Sequence, residues 1–536
     1  MTETSEHADL GPNAWMVDEM RSLWELDPTS VAPAWRELFD TQPTSAPDRP
    51  PPAPDTIDAA SSVVSKPTVP PPPPPAAAPP AATAPAPAPA PQSPPPPAGA
   101  PEPAPEPPGD RIRGVGARIV ANMEASLEVP TATSFRQVPA KLLEVNRKVV
   151  NGHLRRKQLG KVSFTHLIGY AVVRAIADEI PAMNNTFVDG PDGEPRIVHN
   201  PHVGLGIAVD LEKPDGTRTL MVPCIRGADQ LDFDQFVDRY EELIAKVRTN
   251  KLSPDDFGGV TVSLTNPGTI GTVQSVPRLM PGQGVIVGVG SLAFPVEYQA
   301  ADPATLADLG VSKIITISST YDHRIIQGAE SGLFLKKVHE LLLGEDDFYV
   351  DVFRSLGVPY EAVKWRRDVN PIDREHALLE KQAKVNQLIN MYRVRGHLIA
   401  DLDPLSVKEP TMHAELDPAT YGLTIWDLDR EVLTGTETGI YNRIGGSGRM
   451  ALGDLLGVLR DAYCRTVGVE YMHIQDPAEK RWMQEQLEGA DRTIEPGEQR
   501  HVLARLNAAE ALETFLGTKY VGQKRFGIEG AESTIP

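Results

Sequence analysis

The sequence of 536 residues is poor in cysteine, in aromatic residues and in long apolar runs. Its two cysteines, Cys224 and Cys464, lie far apart without a CxxC companion, so neither a disulfide framework nor a zinc site is predicted. No run approaches the roughly 18 apolar residues that a membrane-spanning helix needs. The first residues, MTETSEHADLGPNAW, are acidic and lack the apolar core of a secretory signal. We therefore expect a cytoplasmic protein without a membrane segment.

Positive charge is scarce as well. The chain carries 52 Lys and Arg residues against 72 Asp and Glu residues, which gives a formal net charge of −20. Such a balance argues against a nucleic-acid or anionic-membrane partner, because both would repel the chain as a whole. It does not exclude a local basic pocket for a phosphorylated cofactor.

Proline, by contrast, is abundant and concentrated. Residues 41–109 hold 28 of the 53 prolines and few large apolar side chains. Burial cannot offset the entropy of ordering such a segment, so we predict a disordered but stiff linker of polyproline-II type, with an SH3-ligand function as the alternative. Residues 1–40 place Trp, Met and Leu at helical spacing in a segment too short to bury that face alone. This pattern predicts helices that dock on a partner or on another domain.

The sequence becomes globular after the linker. Helical periodicity alternates with β-branched runs that are bounded by Gly, Pro and Asn, which predicts a mixed α/β domain over residues 110–352. The predicted helices cover 114–130, 139–157, 163–181, 232–252 and 329–343, and the predicted strands cover 202–211, 219–225, 259–266, 284–290 and 314–320. The segment GQGVIVGVG lacks the GxGxxG spacing of a dinucleotide loop, so it predicts a strand whose small residues allow close packing.

The remaining residues predict a second, mainly helical region over 353–516. It begins with a long helix that stops at Gly396 or shortly after. Almost no strand pattern follows until FLGTKYVGQKRF, where strand-like character begins. Residues 517–536 are therefore predicted to start another module.

Two short segments carry the candidate chemistry. In YDHRIIQG, His323 follows a buried strand and precedes a helix, where a neutral imidazole either accepts a proton from a thiol or hydroxyl or only closes the strand. In VTVSLTNPGTIGT, Thr265 and Asn266 end a strand before a Pro-Gly turn. The Thr265 hydroxyl can donate to a developing oxyanion there, or it satisfies local backbone.

Taken together, these segments and the preceding GLGIAVDL closely resemble the catalytic domain of dihydrolipoyllysine acyltransferases, most of all the succinyltransferase branch. The resemblance covers about 112–352 and implies a chloramphenicol-acetyltransferase-like fold, assembled as trimers with each active site between two subunits. It implies that His323 takes a proton from the thiol of coenzyme A, or of dihydrolipoamide in reverse. Thr265 of the neighbouring subunit would stabilise the tetrahedral oxyanion, with Asp322, Arg324 and Asn266 as supporting residues.

One position departs from the family pattern. The usual motif is Asp-His-Arg, two residues, then Asp-Gly, but Gln327 stands where the second acid is expected. If that acid has a geometric function, the neutral amide can substitute for it, since it still offers a donor and an acceptor. If its charge raises the basicity of His323, acyl transfer should be slower. A non-catalytic oligomerising core is the alternative interpretation of this domain.

The flanks resemble the thiamin-diphosphate-dependent first component of 2-oxoglutarate dehydrogenase, as in NQLINMYRVRGHLIADLDPL and FLGTKYVGQKRFGIEGAESTIP. An acyltransferase domain inserted in that framework, without a lipoyl domain, resembles the layout of the actinobacterial multifunctional 2-oxoglutarate metabolism enzymes. The resemblance implies that a lipoyl-bearing acyltransferase component and dihydrolipoyl dehydrogenase are partners. We expect a truncated gene product, with thiamin diphosphate, Mg²⁺ and decarboxylation only in a full-length form and no metal site in this chain.

The sequence leaves the function of two further segments undecided. The basic residues Arg155 to Lys157 are either a site for the phosphates of coenzyme A or a solvated helix end. His397 is either a substrate residue of the complete enzyme or a structural histidine. No residue is assigned to the binding of coenzyme A.

Overall fold

The computed structural model describes most of the chain from residue 115 onwards. The described ranges are 115–212, 218–249, 251–369, 373–403, 411–435, 448–489 and 494–520, with the single positions 36, 112, 405, 407, 444 and 522. The predicted N-terminal helices, apart from Arg36, and the predicted linker lie outside the described residues. So does most of the predicted C-terminal module.

The first part of the described chain is a mixed α/β domain. Its helices are α1 (Val115–Leu127), α2 (Lys141–Arg156), α3 (Phe164–Asp178), α4 (Phe233–Arg248), α5 (Pro303–Leu309), α6 (Gly328–Leu342) and α7 (Phe348–Ser355). Its strands are β1 (Thr131–Pro139), β2 (Thr186–Asp189), β3 (Pro195–Val198), β4 (Leu205–Ile207), β5 (Val209–Glu212), β6 (Arg218–Met221), β7 (Cys224–Ile225), β8 (Val262–Thr265), β9 (Val285–Val289) and β10 (Ile314–Asp322).

Six of these strands form the central sheet, in the order β1-β10-β9-β8-β4-β7. The strand β10 lies inside it, pairs antiparallel with both β1 and β9, and is buried over nearly all its length. The strands β8 and β9 are parallel. Because β10 runs against both of them, the last residue of β8 and the last residue of β10 lie at opposite ends of the sheet.

The predicted strands are present, but the sequence analysis missed β1 and the hairpin β2–β3. In β1 (TATSFRQVP), hydroxylated, charged and amide residues interrupt the apolar pattern, and most of the strand is only half-buried or exposed. The hairpin lies almost wholly at the surface. Strand formation there follows from pairing with other strands rather than from hydrophobic periodicity, which is why no apolar signal marks these segments.

Close packing around β9 explains its small residues. A Cβ atom added at Gly284 would lie 2.3 Å from the carbonyl oxygen of Asn185, and one added at Gly290 would lie 1.9 Å from that of Val273. Backbone therefore approaches both ends of the strand too closely for a side chain. The prediction of a strand built for close packing is confirmed.

The second region is mainly helical, as predicted. It contains α8 (Arg374–Arg395), α9 (Leu452–Tyr463), α10 (Pro477–Leu487) and α11 (Pro496–Lys519), with a short antiparallel pair of β11 (Glu431–Leu433) and β12 (Arg449–Ala451). The long helix α8 ends just before Gly396, where it was expected to stop. The strand-like character predicted from Phe515 onwards is wrong as far as Lys519, because α11 continues through these residues.

Ion pairs join the two regions along helix α2. Lys148 contacts Asp454 at 2.7 Å, and Arg156 contacts Asp461 at 3.0 Å. Lys157 contacts Asp401 at 2.9 Å. The alternative of a solvated helix end is therefore wrong for Arg156, whose side chain is only 6% exposed. Binding of coenzyme A phosphates by Arg155 to Lys157 stays a prediction.

A buried ion pair stabilises the helical region. Arg393 of α8 donates to both carboxylate oxygens of Glu488, at 2.7 Å and 2.9 Å, and the hydroxyl of Tyr463 donates to the same carboxylate at 2.7 Å. The two ionised side chains are 5% and 0% exposed. Removing one partner would leave the other charge buried and unpaired.

We expect Glu488→Ala to lower the free energy of unfolding of this region by about 3–5 kcal/mol, because the charge of Arg393 stays buried without its carboxylate. Urea denaturation followed by circular dichroism measures the change. Asp454→Ala is the control, since it breaks the exposed pair of Asp454 with Lys148, which should contribute at most about 1 kcal/mol. Equal destabilisation by both variants would contradict the prediction.

Candidate active site

His323 lies immediately after β10, at the point where the buried strand reaches the surface. Its backbone N–H donates to the carbonyl oxygen of Pro130 at 2.9 Å, which ties the residue to the segment before β1. Its imidazole is exposed, and Nδ1 lies 3.1 Å from the carbonyl oxygen of Ile326. Because a carbonyl oxygen only accepts, the contact favours the tautomer in which Nδ1 carries the proton and Nε2 has a free lone pair.

An ion pair within the motif holds the same turn. The Asp322 carboxylate is buried and accepts hydrogen bonds from three donor groups of Arg324. These are the backbone N–H at 3.0 Å, Nε at 2.9 Å and Nη2 at 2.6 Å. The guanidinium of Arg324 also stacks on the ring of Phe187, 3.6 Å from its centroid. Arg324 therefore fixes the residue before His323 and connects the turn to the β2–β3 hairpin.

Gln327 is the N-cap residue of α6. Its backbone N–H donates to the carboxylate of Glu330 at 2.6 Å, so that carboxylate satisfies one of the free donors at the start of the helix. The side chain of Gln327 is exposed. Position 327 thus follows directly after Ile326, whose carbonyl contacts the imidazole of His323.

Thr265 is the last residue of β8, and a tight 3-10 turn follows it. Asn266, the next residue, donates from Nδ2 to the hydroxyl oxygen of Thr165 in the first turn of α3, at 2.8 Å. The side chain of Thr265 is half-buried. The helix α3 therefore fixes the backbone that carries the Thr265 hydroxyl.

Thr265 and His323 do not meet within one chain. Thr265 pairs with Gly288 of β9, and Gly288 pairs with Ser318 of β10. His323 lies five residues beyond Ser318, which is about 17 Å along the strand at 3.3–3.4 Å per residue. A hydroxyl donor must approach its acceptor to about 3 Å. These two side chains can therefore share one substrate only if they come from different copies of the chain.

Three features of this site were not found from the sequence. Thr165 and Phe187 are ordinary helix and hairpin residues, and the carbonyl of Ile326 carries no side-chain signal. Each acts through a contact between distant segments or through the backbone. Among the described residues, no group of three His, Cys, Asp or Glu side chains could hold a metal ion. No helix in that part of the chain is long and apolar enough to cross a membrane.

Residues 108–347 match the family model of the 2-oxoacid dehydrogenase acyltransferase catalytic domain. The match covers 240 of the 536 residues of the chain. The match contains every strand of the central sheet together with Thr265, His323 and Gln327. The predicted α/β acyltransferase fold of this domain is thereby confirmed.

The acyltransferase domain lies within a longer similarity. The multifunctional 2-oxoglutarate metabolism enzyme of Mycolicibacterium vanbaalenii is 48% identical, and the alignment covers 98% of this chain and 42% of that protein. The 2-oxoglutarate dehydrogenase E1/E2 component of Corynebacterium glutamicum is also 48% identical, with coverage of 99% and 42%. The predicted resemblance to these enzymes is confirmed, and the chain spans less than half the length of either relative.

A solved structure is also similar to the acyltransferase domain. The dihydrolipoamide acetyltransferase of Azotobacter vinelandii shares 27% identity with a TM-score of 0.37, and the alignment covers 47% of this chain and 99% of that chain.

Proposed function

We propose that the acyltransferase domain moves a succinyl group between dihydrolipoyl-lysine and coenzyme A, with His323 as general base. The observation that carries this proposal is the contact of the His323 Nδ1 with the carbonyl of Ile326. It leaves Nε2 of an exposed imidazole able to accept a proton at the end of a rigid strand. A thiol is a suitable proton donor, because its thiolate is the attacking nucleophile in thioester exchange.

The reaction follows from these groups. Nε2 of His323 takes the proton from the thiol of coenzyme A, and the sulfur attacks the carbonyl carbon of the succinyl thioester. A new carbon–sulfur bond forms, and the carbonyl oxygen becomes an oxyanion to which the Thr265 hydroxyl donates. The oxyanion collapses, the bond to the dihydrolipoyl sulfur breaks, and that sulfur takes the proton back from the imidazolium. The reverse direction uses the same steps.

The distance between Thr265 and His323 supports an assembly in which two subunits form each site. A homotrimer, as the resemblance implies, supplies the Thr265 hydroxyl from one subunit and the His323 imidazole from its neighbour. The ion pair of Asp322 with Arg324 and the contact of Asn266 with Thr165 would keep the two groups in place across the subunit boundary. The closed trimer makes three equivalent sites.

The substrates follow from the relatives and the chemistry of the site. Both curated relatives are named for 2-oxoglutarate, whose oxidative decarboxylation yields a succinyl group. The lipoyl group would come from a lipoyl-bearing acyltransferase component, and dihydrolipoyl dehydrogenase would reoxidise it. Thiamin diphosphate and Mg²⁺ belong to the proposal only for a full-length protein. Both cysteines are buried and unpaired, which supports a reducing, cytoplasmic location.

Incubation of the 536-residue chain with dihydrolipoamide and succinyl-coenzyme A tests this function. We expect S-succinyl-dihydrolipoamide and free coenzyme A in equal amounts, detected by mass spectrometry. Acetyl-coenzyme A in a parallel reaction measures the selectivity for the acyl group. Absence of both acylated products would contradict the proposal and favour a non-catalytic oligomerising core.

Gln327 is expected to have a geometric function rather than an electrostatic one. Its isosteric replacement, Gln327→Glu, should change kcat by less than about threefold, far below the 10²–10⁴-fold contribution of a general base. The reason is that the backbone carbonyl of Ile326 already holds the tautomer of His323. The pH dependence of kcat measures any change in the basicity of the imidazole. A tenfold rise in kcat with a shifted profile would show that the missing charge limits the reaction.

A further inference from the structure

Tyr360, at the boundary of the two regions, is surrounded by basic side chains. The guanidinium carbon of Arg460 lies 4.1 Å from the centroid of its ring, and that of Arg156 lies 5.6 Å away. The ring of His153 meets it edge-on at 6.2 Å. We call these four residues the Tyr360 cluster. Each side chain is at least nine-tenths buried.

Three polar atoms of the Tyr360 cluster have no hydrogen-bond partner among the described residues. They are Nε2 of His153, Nε of Arg156 and the hydroxyl of Tyr360. A buried polar atom without a partner costs free energy, so native structures rarely retain one. Three such atoms around one ring mark a place where the chain itself leaves polar groups without a partner, and the side chain of Arg156 lines a cleft there.

The charge of the cluster gives the sign of that group. The carboxylate of Asp461 is shared by Arg156, at 3.0 Å, and by the more exposed Arg155, at 3.5 Å. Arg460 donates a hydrogen bond to the hydroxyl of Tyr392, at 3.4 Å, and within the described ranges no carboxylate lies within 4.0 Å of its guanidinium. The positive charges of Arg155, Arg156 and Arg460 are thus balanced only by the carboxylate of Asp461, which leaves two positive charges. Burial lowers the pKa of His153 to about 4, so its imidazole adds none at neutral pH.

A cleft gives solvent access to the two arginines of the cluster, Arg156 and Arg460, whereas Tyr360 and His153 do not line it. It runs between α2 and α9 with a volume of about 2160 Å³, and Arg155, Arg156 and Arg460 are among the residues that line it. Gly152 and Gly457 line the same cleft without side chains, which keeps the approach to the guanidiniums wide. A phosphate group, even as part of a larger molecule, would fit in this space.

We propose that the Tyr360 cluster binds a phosphate group. Guanidinium groups match the oxygens of phosphate and donate paired hydrogen bonds, and a phosphate dianion balances the two excess charges. Nε of Arg156, which has no partner among the described residues, supplies a further donor, and the ring of Tyr360 packs against both guanidiniums. The inference is independent of the acyl transfer proposed above, because it uses neither His323 nor Thr265. The phosphate group is either inorganic phosphate or part of a phosphorylated small molecule such as coenzyme A.

Isothermal titration of the whole chain with inorganic phosphate, at constant ionic strength set with chloride, tests the proposal. We expect saturable binding of one phosphate per chain. Arg460→Gln should weaken it at least tenfold, and Arg156→Gln should weaken it severalfold, because both side chains line the cleft. Arg354→Gln is the matched control, since it removes the same charge from a surface arginine and should leave the affinity unchanged.

Circular dichroism of each variant, recorded first, shows whether it has folded. Should Arg460→Gln fail to fold, Arg156→Gln carries the test alone. Competition with coenzyme A tests one source of the phosphate group, because displacement of phosphate assigns the site to a coenzyme A phosphate, and lack of displacement excludes that source. The proposal is overturned if wild type shows no saturable binding, or if Arg156→Gln and Arg460→Gln bind phosphate as wild type does.

Discussion

Succinyl transfer by His323→Ala is expected to be about 10³-fold slower than by wild type, within the 10²–10⁴-fold range of general-base catalysis. The loss should appear in kcat and leave KM nearly unchanged, because the imidazole contacts the reacting thiol proton rather than the body of either substrate. The residual rate should rise with pH, since free thiolate then replaces the missing base. Steady-state kinetics with dihydrolipoamide and succinyl-coenzyme A across the pH range measures all three effects.

A matched control separates catalysis from folding. His376 is an exposed histidine near the start of α8, and His376→Ala should retain wild-type kcat. His323 ends a buried strand but is itself exposed, so its truncation should leave the circular dichroism spectrum unchanged. Equal rates for His323→Ala and wild type would show that the domain is a scaffold, whatever its family.

Thr265→Ala should lower kcat by about 10²–10³-fold, the usual effect of removing one oxyanion donor. Thr265→Ser keeps the hydroxyl and should recover most of the loss, which a purely structural role of the methyl group would not allow. The backbone around it should not move, because Asn266 stays bonded to Thr165. KM for both substrates should change little.

Mixing the two inactive variants tests the separation of Thr265 and His323 directly. If each site takes one group from each of two neighbouring subunits, random co-assembly of equal amounts of His323→Ala and Thr265→Ala restores both groups in about one quarter of the sites. We therefore expect about a quarter of the wild-type rate from co-expressed chains. Separately purified variants that are mixed without exchange should stay inactive. No recovery after co-expression would place both groups in one subunit.

Much of this architecture could be predicted from residue patterns. The strands β8, β9 and β10 are apolar and β-branched with Gly, Pro and Asn at their ends. A buried strand needs apolar residues, so its sequence shows a pattern by which the strand can be predicted. The strand β1 has no such signal, because its neighbour β10 and not its own side chains make it a strand. The strand-like character predicted from Phe515 to Lys519 is wrong for a related reason, since Phe515 and Thr518, which favour strands, continue a helix there.

The candidate site also combines features that the sequence shows with features that only the tertiary structure shows. The sequence by itself gave His323, Thr265 and the unusual Gln327 as candidates, because the motifs that carry the family resemblance are short segments of the chain. Only the tertiary structure decided which partners orient them, since the carbonyl of Ile326, the ring of Phe187 and the hydroxyl of Thr165 act through contacts that no spacing encodes.

The tertiary structure also decided two matters of distance. Strand register places Thr265 and His323 at opposite ends of the sheet, so a single chain cannot complete the site that its sequence predicts. The packing of α2 against α9 buries Arg156 of the basic tripeptide, with Arg156 and Arg460 both against the ring of Tyr360. Both results depend on how elements far apart in the chain pack together. The identity of a residue determines its chemistry, but it does not determine its distance from a residue elsewhere in the chain.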